Sequence, residues 1–166
     1  MPAKNESLTV RVSSAYKQLS SAASELNRVS DELSKFVGAL DVALKKLNLG
    51  IATWIRLDSR EDGSGNYTKR DLGYAKVGGR WGIALRGMTG NHNTPDESTV
   101  EEWLFSDAPR ALRIEAVEKL PDLFDNLIKE AEAATAQIKA RTSQAQHLAS
   151  ILTEIAGHQP MRKTEL

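Results

Sequence analysis

Apolar residues recur over the first fifty positions at alternating spacings of four and three: Leu8, Val12, Ala15, Leu19, Ala22, Leu26, Val29, Leu33, Phe36, Leu40, Ala43 and Leu47. That alternation is the a/d signature of a coiled-coil helix, since it holds one narrow stripe on one side of a 3.6-residue turn. At 1.5 Å per residue the stripe from Leu8 to Leu47 spans roughly 58 Å. Gly38 lies off the stripe and costs ~1 kcal/mol relative to alanine, which so long a pattern absorbs.

A second stripe occupies the last third of the chain: Val117, Leu120, Phe124, Leu127, Ala131, Ala134, Ile138, Arg141, Ala145, Leu148, Leu152 and Ile155, polar at Arg141 alone. Ser106 or Asp107 suits a helix cap, Pro109 suits the first turn, and Gly157 with Pro160 beyond it suits a stop. Pro121 predicts a kink near 121. The two stripes match in length, so an antiparallel two-helix coiled coil is expected. Its register sets Leu47 against Val117, Leu8 against Ile155, and Arg141 against the small Ala22, with Glu25 near enough to pair with the arginine.

The middle changes character. Nine of the eleven glycines lie from Gly50 to Gly90, and all three tryptophans (Trp54, Trp81, Trp103) lie between 50 and 105. Glycine serves turns and aromatics serve half-buried strands. Residues 50–57 read as a strand. Residues 72–87 read as a hairpin about Gly78-Gly79, a pair suited to a turn that needs positive φ twice. Pairing outward sets Tyr74 opposite Ile83 and Leu72 opposite Leu85. One face then carries Leu72, Tyr74, Trp81, Ile83 and Leu85. The other carries Gly73, Ala75, Gly82 and Ala84, flat enough for a helix to approach. Residues 100–105 read as a fourth strand, and the polar runs DSREDGSGN and GNHNTPDEST read as loops.

The expected fold is therefore α+β: a long antiparallel two-helix coiled coil with a small antiparallel sheet of about four strands inserted between the helices. Its parts are a first helix at 6–48, a β-meander head at 50–105, a second helix at 107–156 and a flexible tail at 157–166.

Composition narrows the chemistry. The 166 residues carry 22 basic and 22 acidic side chains, so no global field favours nucleic acid or its mimics. Residues 50–107 hold seven basic against nine acidic side chains, a local balance with the same meaning. Cysteine is absent, which excludes disulfides, thiolate metal sites and cysteine nucleophiles. His92, His147 and His158 are far apart in the expected topology, and none has a metal-ligand partner at i+3 or i+4. Asp58 to Lys69 fails as a calcium loop, because Arg60 and Lys69 stand where oxygen ligands are needed. The glycine pairs lack the strand–helix setting of a phosphate cradle. No catalytic residue, cofactor or metal is expected. The N-terminus has no apolar run like a signal-peptide core, and no stretch is long enough for a membrane span, so the cytoplasm is the expected location.

Two clusters remain as candidate sites. Arg110 and Arg113 stand in the first turns of a helix, where the macrodipole disfavours cations by ~0.3–1 kcal/mol. Glu101, Glu102, Asp107 or Glu115 are expected to offset them. The functional alternative is an anion or partner site formed by Arg86, Arg110 and Arg113. Val37, Leu44 and Ile128 widen the apolar stripes beyond a/d, and are expected to face a second hairpin in a four-helix bundle. The tryptophans and Tyr74 are expected in the core of the β head.

These readings favour a non-enzymatic protein-interaction or assembly protein, homodimeric through its helical hairpin, with the β head as a cap that binds another protein. The helix–β–helix order is similar in outline to that of prefoldin-type chaperone subunits, which implies a chaperone as one alternative. Another is a coiled-coil dimer that binds nucleic acid or DNA ends, as phage nuclease-inhibitor proteins do, which zero net charge disfavours. An enzyme with an arginine-lined anion site ranks last.

Overall fold

The computed structural model describes residues 3–158; most of the expected tail, 159–166, lies outside the described residues. The α+β layout is present. A long helix α1 (Ala3–Lys46) leads into strands β1 (Thr53–Glu61), β2 (Asn66–Val77), β3 (Arg80–Asn91) and β4 (Thr94–Leu104). A 3-10 turn (Phe105–Asp107), a short helix α2 (Arg110–Val117) and a long helix α3 (Leu120–Gly157) follow. The strands form one antiparallel meander in the order β1-β2-β3-β4.

Local chemistry sets the element ends. Lys45 and Lys46 occupy the last turn of α1, where cations complement the macrodipole. Asn48 then takes φ 49° and Gly50 φ 62°, turning the chain toward β1. The Gly78-Gly79 turn has φ of 55° and 82°, which matches the twist of a two-residue hairpin. Tyr74 pairs with Ile83 and Leu72 with Leu85, in the expected register. Helices α2 and α3 are separated at Glu118–Lys119, and Pro121 falls in the first turn of α3, where its missing N–H leaves no helical bond unmade.

The strands run further than their apolar cores. β2 starts at Asn66, β3 ends at Asn91, and β4 takes in most of the run expected to be a loop. β4 is an edge strand, exposed along nearly its whole length, so it has no core face to advertise by apolar alternation. Its Pro95 is tolerated because an edge needs fewer N–H donors. At the other end Asp62 holds the β1–β2 turn. Its carboxylate accepts from the backbone N–H of Ser64 at 2.9 Å and of Asn66 at 3.0 Å, and from Asn66 Nδ2 at 2.8 Å. Those bonds keep the Asp62 carboxyl below the usual carboxylate range, the Asn66 side chain contributing most.

Helices cover only one face of the sheet. Leu72, Tyr74, Ile83 and Leu85 pack against Val37 and Leu44 of α1, Phe105, Leu112 and Ala116 of the turn and α2, and Leu120, Leu123 and Leu127 of α3. No helix lies across the flat opposite face, but α1 reaches its margin at Gly82, where an added Cβ would stand 3.0 Å from Asp41 Oδ1. Trp54 lies across this face, so close to Gly73 that a Cβ there would stand 2.4 Å from the ring.

Within the single chain the two apolar seams do not close on each other. α1 packs on β3 and the 3-10 turn, while α3 packs on β1 and β2. Leu19 is 66% exposed and Phe36 69% on α1, as is Leu152 at 66% on α3. The stripe that α1 gives to the body runs through Ser30, Leu33, Val37, Asp41 and Leu44, rotated from the a/d seam.

Candidate interaction surface

The outer face of the sheet gathers the charges that the sequence leaves scattered. Asp71 is 2% exposed and takes two arginines. Arg86 donates to its Oδ2 from Nη2 at 2.7 Å and from Nε at 3.1 Å, and Arg56 Nε lies 2.6 Å from Oδ1. Glu102 stands 3.8 Å from Arg86, and the Arg86 guanidinium lies 4.3 Å from the centre of the Trp54 ring. This layer of Trp54, Arg56, Asp71, Arg86 and Glu102 is closed upon itself. Two cations meet two carboxylates over one aromatic floor, an arrangement that seals the sheet.

The trio Arg86, Arg110 and Arg113 therefore does not assemble. Alternation along β3 sends Arg86 to the face opposite Leu85 and the helices, whereas Arg110 and Arg113 project from α2 onto α1. Arg110 Nη2 donates to Asn27 Oδ1 and Arg113 Nη1 to Ser34 Oγ, each at 2.7 Å. The carboxylates expected to offset them are engaged elsewhere: Glu115 with Arg70, Glu102 with Arg86, and Asp107 with Arg80. Neutral oxygens on α1 take their place, so the two arginines act as a clasp that fixes α2 along residues 27–34 of α1.

The apolar trio is divided as well. Val37 and Leu44 are 3% and 8% exposed, sealed beneath the sheet, and so cannot meet a second copy; Ile128 remains 56% exposed. Proximity of the sheet to the end of α1 explains the difference. Of the aromatics, Tyr74 is buried and stacked on Trp81 at 5.6 Å, while the three tryptophans are only partly covered. Among the described residues no group of three His, Asp or Glu side chains is placed to hold a metal ion. A cleft of 320 Å³ between the sheet and α2, lined by Arg70, Glu101 and Trp103, has its one arginine tied to Glu115.

What stays open is the helical surface. On α1 the seam from Leu8 to Leu47 is exposed at every position except Leu33, which is half-buried. On α3 the exposed stretch begins at Ile138 and runs to Ile155. Contiguous apolar surface of this extent marks an interface, since single exposed leucines are ordinary and long stripes of them are not. On the flank of the α1 seam, Arg28 sits between Glu25 and Glu32, at 2.6 Å and 2.7 Å, leaving one carboxylate charge in excess. The Arg28 hydrogen bond lowers the Glu25 pKa. No described helix is long and apolar enough to cross a membrane.

The chain was compared with family models, curated proteins and solved structures, and it matches none of them.

The sequence pattern found the α1 seam but assigned it to α3 of the same chain. The stripe that α1 actually turns to the body was hidden by its polar members. Ser34 and Asp41 break the apolar pattern on that side, yet each is a hydrogen-bond partner of the body, Ser34 for Arg113 and Asp41 for the N–H of Ile83, both at 2.7 Å.

Proposed function

We propose that this chain is a non-enzymatic assembly protein that self-associates through its helices, with the sheet and α2 as a rigid body that anchors them. One observation carries the reading: a heptad-spaced apolar seam lies open along α1, where Leu8, Val12 and Leu19 are 57–66% exposed and belong to no part of the core. An isolated helix gains little from such a stripe, and a helix paired along it gains a core. The charged groups on the outer face of the sheet, by contrast, are paired with one another.

The test is solution mass. Light scattering at micromolar concentration should give a dimer for the wild type. Leu19→Glu with Leu26→Glu should give a monomer with the same thermal transition of its body, because both side chains lie outside the buried core. A wild type that is monomeric at high micromolar concentration would remove the proposal.

A further inference from the structure

Resting on that self-association, we infer that the second copy docks antiparallel on the protruding half of α1, with seam residues (a against d) whose numbers sum to 41 facing each other. The heptad phase leads there. Val12, Leu19, Leu26 and Leu33 are a positions, and Leu8, Ala15, Ala22 and Val29 are d positions. A parallel pair stacks a on a and d on d, so Ala15 and Ala22 would each face themselves and leave the seam unevenly filled. An antiparallel pair sets a against d. In this register Leu26 faces Ala15, Leu19 faces Ala22, Val12 faces Val29 and Leu33 faces Leu8, so large residues meet small ones at the centre.

The flanks agree. In the e row of this stretch Ser30 is buried against the chain's own body and Thr9, Tyr16 and Ala23 carry no charge, so charge pairing falls to the g row. That row reads Arg11, Gln18, Glu25, Glu32 from the free end. Antiparallel helices pair g with g, and here Arg11 meets Glu32 of the second copy while Gln18 meets its Glu25, each twice by symmetry. The excess negative charge around Arg28 thus receives a cation. One heptad more of overlap would put Glu25 against itself. Two more would put Glu25 against Glu32 and Arg11 against Lys46. One heptad less keeps an Arg11–Glu25 pair but leaves Val29 and Leu33 outside the seam. Docking α3 on α1 in a register that sets a against d puts Arg141 in the seam facing a large apolar a residue, Val12, Leu19, Leu26 or Leu33.

The body supplies a receptor for the incoming end. Leu26, Val29 and Leu33 line a cleft of 90 Å³ closed on its far side by Arg110, Arg113 and Ile114 of α2. Leu8 and Val12 of the second copy arrive at this cleft, opposite Leu33 and Val29. The seam side chains from Leu8 to Leu33 expose on the order of 600 Å² per helix, comparable to the ~800 Å² per partner of a standard-size interface.

The chain has no cysteine, so introduced thiols report the geometry unambiguously. Ala15→Cys and Leu26→Cys, each alone, should stay unlinked under mild oxidation, and an equimolar mixture should form a disulfide between the two chains. Linking of each variant with itself would show a parallel pair and overturn the inference. Linking of Ala15→Cys with Leu19→Cys in its place would overturn the register. A wild type that is dimeric by light scattering, with no linking anywhere on α1, would discard this docking while leaving self-association standing; a monomeric wild type would discard both. Charge reversal gives a second readout. Arg11→Glu should weaken dimerisation about tenfold, and adding Glu32→Arg to the same chain should restore it. No restoration would exclude the Arg11–Glu32 contact.

Discussion

Replacing Gly73 with alanine tests whether the outer face of the sheet is held by the packing of Trp54. An added Cβ would lie 2.4 Å and 2.6 Å from two carbons of the ring and 2.5 Å from the carbonyl oxygen of Thr53. The ring can move; the carbonyl belongs to the paired strand β1 and moves only with the ladder. Forcing a methyl group into a filled site costs about 1–3 kcal/mol. Lifting Trp54 also separates it from Arg86, forfeiting about 0.5–2 kcal/mol of cation–π attraction. Against this, alanine lowers the entropy of the unfolded chain by about 0.4–1 kcal/mol. The net is a loss of about 2–3 kcal/mol, or a drop in melting temperature of roughly 4–12 °C for a chain of this size. Urea unfolding followed by tryptophan fluorescence would measure it, with the same substitution repeated in a Trp54→Ala background. There the penalty should shrink, because only the carbonyl contact remains. A Gly73→Ala protein within 0.5 kcal/mol of wild type, near the ~0.5 kcal/mol typical of indifferent surface changes, would refute this account of the face.

Two further outcomes follow from single contacts. Asp41 accepts from the N–H of Ile83 where β4 has already left the sheet, so Asp41→Ala should cost about 1–3 kcal/mol through an unsatisfied donor, and Asp41→Asn, which keeps an acceptor, should cost less; equal losses in a denaturant titration would show that the hydrogen bond is not the cause. Burial raises the Tyr74 pKa, with the Asp41 charge adding to it, so the fold favours the neutral phenol: its contribution is complete below the unfolded value of about 10 and is lost as pH rises through the folded value. Stability measured from pH 8 to 11 should therefore fall less steeply in Tyr74→Phe than in wild type, and parallel curves would contradict the assignment.

The parts of the fold that were legible in the sequence are those where one local rule acts alone. Gly78-Gly79 between alternating strands determined both the turn and the Tyr74–Ile83 register, because only glycine is at ease with positive φ twice in succession. The heptads of α1 declared a helix and an apolar seam. The misread features required knowledge of what lay across the fold. The first half of the polar edge strand β4, residues 94–99, resembled a loop, since an edge with no buried face leaves no alternation, while its second half was legible as a strand. Trp54 over Gly73 depends on a β1–β2 register that shifts between Arg56 and Asp58. The hairpin register makes Asp71 and Arg86 direct cross-strand partners, so this pair was legible, whereas Arg56 joins it only through the β1–β2 pairing.

The two stripes on α1 explain why the single chain leaves so much apolar surface open. The body needs only the last part of the helix, through Ser30, Leu33, Val37, Asp41 and Leu44, and it accepts polar members because each has a partner waiting in the sheet or α2. The seam is different in kind. It extends some twenty residues beyond the last body contact, it keeps its spacing through Leu8, and it is apolar at every position. A helix half with no tertiary contact is marginal in water whatever its propensity, and nothing in the body rewards leucine at residues 8 or 19. The body fixes one end of α1 and, through the Arg110 and Arg113 clasp, the rotation of the helix about its axis. That rotation buries Ser30, Val37 and Leu44 and turns the seam and the g row outward. A surface held in one orientation by a rigid anchor loses less freedom on binding than a free helix would, so the sheet and α2 serve the seam by holding it in place.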